Sequence, residues 1–253
     1  MKQLGLLIFL LLFIFGCRKY EKQQKELSFV EKIQNAHQKE KFNQEEAIQF
    51  DLKLSFGGEE KIKGKVTLVT NSSKGKITFS DGNTIIYHSN KVYYSPGLDS
   101  TTVRFNAFTW SYFFLLPYKL NDKGTKWESY KNKEKDSKNY LTEKLSFAPQ
   151  TGDAPDDWYV VYADINTNLI QKAAYIVTAF GSKKEAEKNP HAIQYSNYKE
   201  INAIPIATQW KFWEWNKNDG LAKQLGEATI TNIEFIKNDS SLFLPSKNLK
   251  LSN

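Results

Sequence analysis

The chain contains a single cysteine, Cys17, among its 253 residues. One cysteine cannot form a disulfide framework or a zinc site made of several thiolates, so both are excluded within the chain. Three interpretations remain for this thiol: a structural core residue, a reactive or metal-binding group, and a site of covalent modification. The choice among them depends on the sequence around position 17.

Arginine is almost as scarce. Of the 35 basic residues, only Arg18 and Arg104 are arginines, and the others are lysines. Recognition of nucleic acids and phosphates relies on the forked guanidinium group of arginine. The net charge of +7 is therefore carried mainly by lysine, which argues against a nucleic-acid partner. Scattered lysine suits a domain near anionic lipid head groups, where each nearby basic residue contributes about 1 kcal/mol.

The apolar run at residues 4–15 is shorter than the ~20 residues that a transmembrane helix needs. It follows Lys2 and precedes Gly16, which is the layout of a secretory signal peptide, with an uncleaved membrane anchor as the alternative. Residues 14–17, IFGC, resemble the lipobox of bacterial lipoproteins. This resemblance implies cleavage before Cys17 and acylation of its sulfur and its new amino group. Several acyl chains together anchor a protein stably to a membrane.

These features divide the chain into three parts. We interpret residues 1–16 as a lipoprotein signal peptide, residues 17–27 as the acylated cysteine with its tether, and residues 28–253 as a single domain. The basic pair after Cys17 lacks the acidic run associated with surface export in some lipoproteins. We therefore expect a lipid-anchored envelope protein at the outer membrane, facing the periplasm, whose membrane partnership depends on acylated Cys17.

Hydrophobic periodicity predicts a mainly β fold of the α+β type. Ser28 and Glu31 have capping-box spacing and begin a predicted helix of about 12 residues. Apolar residues then alternate from Ile48 to Phe56, which predicts a half-buried strand, and short strands separated by turn residues follow. Residues 107–116 are apolar nearly all round and end at Pro117, which predicts a short buried helix. Residues 119–138 are polar.

Six further strands are predicted after this polar stretch, in addition to about five before the buried helix. No strand–helix–strand alternation appears, so the sheet is predicted to be antiparallel and meander-like. We find no internal repeat and no second domain boundary in the sequence.

Four segments in this order resemble the LolA/LolB-like lipoprotein-carrier superfamily, and within it a family of Gram-negative lipoproteins that has no established ligand. They are residues 33–37, 112–124, 158–175 and 195–212. The resemblance implies a strongly curved antiparallel sheet, an incomplete β-barrel, with the N-terminal helix and the central buried helix over its open face. It also implies an apolar cavity that can receive acyl chains. Transfer activity does not follow from the fold alone.

The three histidines of the sequence are scattered. His37 falls on the apolar side of the first predicted helix, whereas His88 and His191 lie in separate segments. A lone histidine of this kind is more often a hydrogen-bonded packing residue, and zinc ligands need paired spacing. The sequence also lacks a GxSxG elbow, a P-loop, a dinucleotide fingerprint and HExxH, although a catalytic triad needs no sequence adjacency. We expect no metal and no other cofactor.

Four aspartates crowd one region of the chain: Asp153, Asp156, Asp157 and Asp164. Such carboxylates could bind calcium or serve as an acid and a base. Asp164, Asn166 and Asn168 imitate the start of an EF-hand loop, but Leu169 stands where that loop requires glycine. We interpret this region as a solvated turn.

Aromatic residues are the most unusual feature of the composition, at 14% of the chain. Most of them suit a large core, but a cavity wall or an exposed rim in contact with lipid is the alternative. The candidate cavity or rim residues are Trp110, Tyr112, Phe113, Phe114, Leu116, Trp158, Tyr162, Trp210 and Phe212.

The leading functional hypothesis is a non-enzymatic lipoprotein that binds or transfers an apolar ligand, a lipid or an acyl chain, in a β-half-barrel cavity. The alternative is a structural or interaction lipoprotein with a packed core that docks a protein partner. A third hypothesis is an envelope hydrolase that uses Asp157 or His37. A buried cluster of histidine and carboxylate in a cleft would favour the hydrolase.

A Cys17→Ser variant is expected to lose acylation and membrane association but to fold normally, because the acyl chains and not the thiol perform the anchoring. Membrane fractionation and the mass of the mature protein measure the first effect, and circular dichroism measures the second. Unchanged membrane retention would overturn the lipobox interpretation.

Overall fold

The structure is a computed structural model that describes residues 26–252 of the chain. The predicted signal peptide, Cys17 and most of the predicted tether lie outside the described residues. Within them, 13 strands form one antiparallel sheet, and helices cover one of its faces. We call this face, which carries the main hydrophobic core, the inner face.

The first half of the sheet is a meander of five strands. These are β1 (Ala47–Phe56), β2 (Glu59–Val69), β3 (Lys74–Phe79), β4 (Thr84–His88) and β5 (Lys91–Tyr94). The second half contains β6 (Thr125–Ser129), β7 (Tyr140–Phe147), β8 (Tyr159–Asp164), β9 (Ile170–Tyr175), β10 (His191–Ile201), β11 (Ile204–Asn216) and β12 (Gly220–Ile236). The short strand β13 (Lys250–Ser252) ends the described chain.

The helices are α1 (Phe29–Ala36), α2 (Lys39–Gln44), α3 (Val103–Leu115) and α4 (Lys183–Ala186). Three 3₁₀ turns accompany them, at Leu116–Tyr118, Ser137–Asn139 and Ser240–Phe243.

The strands follow the order β13-β5-β4-β3-β2-β1-β12-β11-β10-β9-β8-β7-β6 across the sheet. The two meanders meet where β1 pairs with β12, and the edge strands β13 and β6 do not pair with each other, so the barrel is incomplete. Three register shifts, one opposite β1 and two opposite β11, each place an extra residue in β12, and such bulges bend the strand that contains them. The predicted fold class, an antiparallel sheet that is not closed, is confirmed.

Strand β1 shows how the sequence pattern specifies the core. Phe50, Leu52 and Leu54 are almost completely buried on the inner face, while Lys53 between them is exposed. One strand with a single apolar face therefore contributes directly to the core, as the alternation predicts.

The predicted capping box at Ser28 is present. The hydroxyl of Ser28 accepts a hydrogen bond from the Glu31 backbone N–H at 3.3 Å, and the Glu31 carboxylate accepts one from the Ser28 N–H at 2.7 Å. The helix is shorter than predicted, because Gln38 adopts a left-handed conformation with φ of 55° and separates α1 from α2. Both helices place aromatic side chains, Phe29 and Phe42, in the core.

The predicted central helix is also present as α3, which begins four residues earlier than predicted. Pro117 lies in the 3₁₀ turn that closes the helix, as the sequence indicates. Because α3 is apolar on nearly all sides, it is stable only when enclosed, and it lies against the inner face of the sheet.

The polar stretch at residues 119–138 contains more structure than predicted, because it forms β6 and then crosses the outer face of the sheet. There it covers a second hydrophobic cluster, which we call the outer cluster: Val160, Tyr162, Ala174, Ala192 and Trp215, with Trp158 packed against it. The strand β13 was also not predicted, since three residues are too few to show a period.

A buried ion pair fastens this segment to the outer cluster. The carboxylate of Glu134 pairs with Lys172 and accepts hydrogen bonds from the Tyr162 hydroxyl at 2.6 Å and the Trp215 indole at 3.1 Å. The ammonium of Lys172 also lies 4.5 Å from the centre of the Tyr162 ring and 4.8 Å from that of Tyr140. Both charges are thus fully compensated, which is the condition for burying them.

Replacing Glu134 by leucine is expected to lower the free energy of unfolding by about 3–5 kcal/mol, because Lys172 then remains buried without its partner. The double variant Glu134→Leu/Lys172→Met should be less destabilised than Glu134→Leu, since no unpaired charge remains. Urea unfolding measures both. Glu128→Ala, which removes an exposed ion pair with Lys144, is the control and should change the value by less than about 1 kcal/mol. A loss of the same small size in Glu134→Leu would contradict this role for the ion pair.

Candidate functional site

A cavity of about 560 Å³ lies on the inner face between α3 and the strands β7, β8 and β9. Its volume is within the range of about 300–1,000 Å³ that is usual for small-molecule sites. Its lining combines polar side chains, such as Asn90, Ser111 and Asp157, with aromatic ones: Tyr87, Phe105, Phe108, Tyr112, Phe113, Phe147, Tyr159 and Tyr175. The cavity is therefore large enough to hold a ligand that has both an apolar and a polar part.

One side of the cavity is a stripe on α3. Phe105, Phe108 and Tyr112 are spaced by three and four residues, so they lie on one face of the helix. The opposite stripe, with Trp110 and Phe114, packs into the core. One helix thus supplies both a packed interface and a cavity wall.

The facing side of the cavity is a pair of tyrosines on neighbouring strands. Tyr159 of β8 and Tyr175 of β9 are direct cross-strand partners, and their ring centres are 6.0 Å apart. Tyr112 of α3 approaches Tyr159 with a ring distance of 5.3 Å. Their neighbours in sequence, Val160 and Ala174, point to the outer cluster, as the alternation of a strand requires.

Tyr87 of β4 enters the lining because the neighbouring strand has a glycine at the facing position. A Cβ atom at Gly75 would lie 2.3 Å from the Tyr87 ring, so the ring can lie there only when position 75 has no side chain. Burial raises the pKa of Tyr87 to about 12, against a hydrogen bond with Ser111 that lowers it. Tyr87 is therefore neutral at physiological pH.

Two ion pairs stand at the polar edge of the cavity. Lys119 pairs with Asp122 and donates a hydrogen bond to the Ser72 hydroxyl at 2.8 Å. Arg104 pairs with Asp153 and donates to the Asn90 carbonyl at 2.9 Å. These contacts tie the start of α3 and the turn after it to the loops that border the cavity.

Asp157 lies in the cavity wall. Its Oδ1 atom accepts hydrogen bonds from the backbone N–H and the hydroxyl of Thr178, both at 2.8 Å. Burial raises the pKa of Asp157 to about 6, although the bonds from Thr178 lower it. The interpretation of this region as a solvated turn is therefore wrong for Asp157. It holds for Asp164, which accepts bonds from the N–H groups of Asn166 and Thr167 within a turn.

Two of the nine predicted cavity or rim residues, Tyr112 and Phe113, line this cavity. Five others lie in the main core: Trp110, Phe114, Leu116, Trp210 and Phe212. They pack closely, as shown by ring distances of 4.3 Å between Phe50 and Phe114 and 5.9 Å between Trp110 and Phe212. Trp110 and Phe212 contact Phe113 of the cavity wall from the core side.

The remaining two do not line this cavity: Tyr162 lies on the outer face of β8, and Trp158, just before β8, packs against the outer cluster. The sequence shows that Tyr159 points away from them, but it does not show which side is the inner one. The structure places Tyr159 in the cavity, together with the unpredicted residues Tyr175, Phe105 and Phe108. The helical spacing of the two phenylalanines with Tyr112 was a signal that could have identified them.

His37 lies apart from the cavity and is buried. Its Nε2 atom accepts a hydrogen bond from the Ile170 N–H at 3.1 Å, and its ring contacts that of Tyr198 at 5.7 Å. Burial lowers the pKa of His37 to about 3, against the effect of the Pro205 carbonyl. This is the environment of a packing histidine, and Asp157 is not part of it.

Among residues 26–252, no three side chains of His, Cys, Asp or Glu form a group that could hold a metal ion. The same part of the chain contains no helix that is both long and apolar enough to cross a membrane.

An Asp157→Asn variant is expected to change the pH dependence of stability. Because folding raises the pKa of this carboxyl from about 3.9 to about 6, the folded state holds the proton more tightly. The contribution of the protonated Asp157 carboxyl to stability is therefore complete below about pH 4 and is lost as the pH rises to about 6. Relative to Asp157→Asn, the melting temperature of the wild type should fall over this interval. Parallel melting profiles would contradict the burial of a titrating carboxyl.

No protein-family model matches the chain, and no curated protein matches it. Among solved structures, a LolA superfamily protein from Nitrosomonas europaea aligns with a TM-score of 0.54 at 9% identity, over 84% of this chain and 97% of that one. An outer membrane lipoprotein-sorting protein domain from Vibrio parahaemolyticus aligns with a TM-score of 0.52 at 11% identity, over 83% and 95%. At such identities the likeness concerns the fold. The predicted resemblance is confirmed at that level, and the chain has a LolA-like fold.

Proposed function

We propose that this protein is an envelope lipoprotein that binds an apolar ligand, an acyl chain or a lipid, in the cavity beneath α3. The observation that carries the proposal is a cavity of about 560 Å³ with an aromatic lining. The LolA-like fold supports it, because similar folds occur in a LolA superfamily protein and in a lipoprotein-sorting domain. We propose binding without catalysis, since Asp157 and His37 lie in different parts of the fold.

The driving force for this binding is the removal of apolar ligand surface from water. Burial stabilises by about 25 cal/mol for each Å² of apolar surface. A chain that buries about 300 Å² would thus gain about 7.5 kcal/mol before the loss of motional freedom is subtracted. The aromatic rings supply a large contact area with few rotatable bonds, which keeps that loss small.

The membrane anchor is part of the same proposal. Acylation at Cys17 would hold the domain at the outer membrane, and the short segment before Ser28 would limit its reach into the periplasm. A ligand could then be taken up or released close to the bilayer. Scattered surface lysines support this arrangement, because they favour proximity to anionic lipids.

Docking of a protein partner is the second candidate, and it would be favoured by a contiguous exposed apolar patch without a cavity. The large exposed apolar side chains belong instead to separate elements, among them Ile165 in the β8–β9 turn, Phe180 after β9 and Leu244 near the end of the chain. The cavity therefore favours ligand binding.

Occlusion of the cavity tests the proposal. Thr109 lies on α3 and lines the cavity, so Thr109→Trp would place a large ring in the space for the ligand. The purified, delipidated wild type is expected to bind a fluorescent acyl ester, which carries no free carboxylate, in a titration. Thr109→Trp should bind it at least about tenfold more weakly, since the buried contact area is lost.

Thr231→Trp is the matched control, because it makes the same change at an exposed position of β12. It should bind like the wild type. Absence of probe binding by the wild type, or equal binding by Thr109→Trp, would refute ligand binding in this cavity.

A further inference from the structure

The wall of the cavity contains two polar atoms that the protein itself does not use. The Tyr112 hydroxyl is buried without a hydrogen-bond partner. Asp157 uses Oδ1 for both of its bonds from Thr178, and no hydrogen bond among the described residues engages its Oδ2 atom. A buried polar group without a partner is destabilising, so the Tyr112 hydroxyl points to a polar group on a ligand, while the Asp157 Oδ2 atom is free to accept a hydrogen bond from such a group.

Asp157 shares the cavity wall with three phenols. Burial is the main cause that raises the pKa of Tyr112, Tyr159 and Tyr175, and the negative charge of Asp157 adds to it in each case. The negative charge of Asp122 also raises the pKa of Tyr112. This part of the wall thus combines one half-buried negative charge with neutral hydroxyl groups.

The positive charges around the cavity do not neutralise the negative charge of Asp157. Lys119 is paired with Asp122, and Arg104 is paired with Asp153. Lys123 is exposed at the edge, where solvent screens its charge. Asp156 is exposed too, and it lies outside the lining. Asp157 is therefore the charge that a ligand inside the cavity meets with the least screening.

We propose that the cavity selects amphiphiles whose polar end donates hydrogen bonds and carries no negative charge, with Asp157 Oδ2 as acceptor and the Tyr112 hydroxyl as a second contact. Ammonium and hydroxyl groups meet this description, whereas the carboxylate of a free fatty acid does not. This inference rests on the proposed function, because it assumes that an apolar chain occupies the cavity.

The physical reason is the low dielectric of the site. Two like charges repel more strongly there than in water, so a ligand carboxylate near Asp157 would have to be protonated or excluded. A donor group instead satisfies the unused carboxylate oxygen through a charge-assisted hydrogen bond, which is among the stronger kinds. The preference for a donor group over a carboxylate therefore does not depend on the length or the apolar area of the ligand's chain.

Three probes with the same twelve-carbon chain test the inference: dodecylamine, dodecanol and laurate. Their affinities are measured at pH 7.5 by displacement of a fluorescent acyl probe from the full mature protein. The wild type is expected to bind dodecylamine and dodecanol at least about tenfold more tightly than laurate. Asp157→Asn should reduce this ratio to within about threefold, and Tyr112→Phe should weaken dodecanol binding by a few fold.

Asp156→Asn and Tyr93→Phe are the matched controls, since each makes the same chemical change outside the cavity lining. Both should keep the wild-type ratios. Retention of the full preference in Asp157→Asn would overturn the role of that carboxylate. Laurate binding as tight as that of dodecanol would overturn the selectivity alone, whereas binding of none of the three probes would overturn the proposed function as well.

A measurement on the wild type keeps the inference testable if Asp157→Asn does not fold. Because the pKa of Asp157 is raised to about 6, lowering the pH from 8 to 5 protonates the carboxylate. The affinity for dodecylamine, which stays charged, should then fall relative to that for dodecanol. A constant ratio of the two affinities over this interval would contradict the inference.

Discussion

Burial of α3 against the inner face of the sheet is the interaction on which the rest of the structure depends. A helix that is apolar on nearly every side must be enclosed, and an open sheet with one apolar face needs a cover. Phe114 stacks on Phe50 of β1 at 4.3 Å, and Trp110 lies against Phe212 of β11. Since β1 and β11 flank β12, where the two meanders join, α3 holds both halves of the sheet in one body.

The same helix also creates the cavity, because only one of its stripes is packed. In its other stripe Tyr112 contacts Tyr159, but the stripe as a whole borders an open space that loops enclose. Aromatic side chains suit both tasks, since they bury a large area and keep their orientation when one side is left uncovered. The proposed ligand would complete this incomplete packing. The polar atoms of Asp157 and Tyr112 then decide which ligands fit.

On the outer face of the sheet, a buried ion pair and not a helix holds the covering segment in place. There Val69 of β2 and Ile86 of β4 are covered by Phe243, and β8 and β9 are covered by the segment that carries Glu134. The buried pair of Glu134 and Lys172 holds this segment in place, with every charge compensated by hydrogen bonds or aromatic rings. Strand β8 is consequently buried on both faces. It supports the Tyr159 side of the cavity through a second, independent packed layer.

The sequence by itself determined the local elements: the capping box at Ser28, the alternation in β1, the buried helix before Pro117 and the antiparallel class of the sheet. Each depends on neighbours in sequence, which is why periodicity reveals it. The tertiary structure alone decided that Tyr159, and not Trp158 or Tyr162, faces the cavity. Alternation assigns the residues of a strand to two faces, but it does not show which face the helices cover. It also decided the environment of Asp157, whose partner Thr178 is 21 residues away, and that of His37, which meets Ile170 across 133 residues. Such contacts arise from the folding of distant segments onto one another, and no local pattern encodes them.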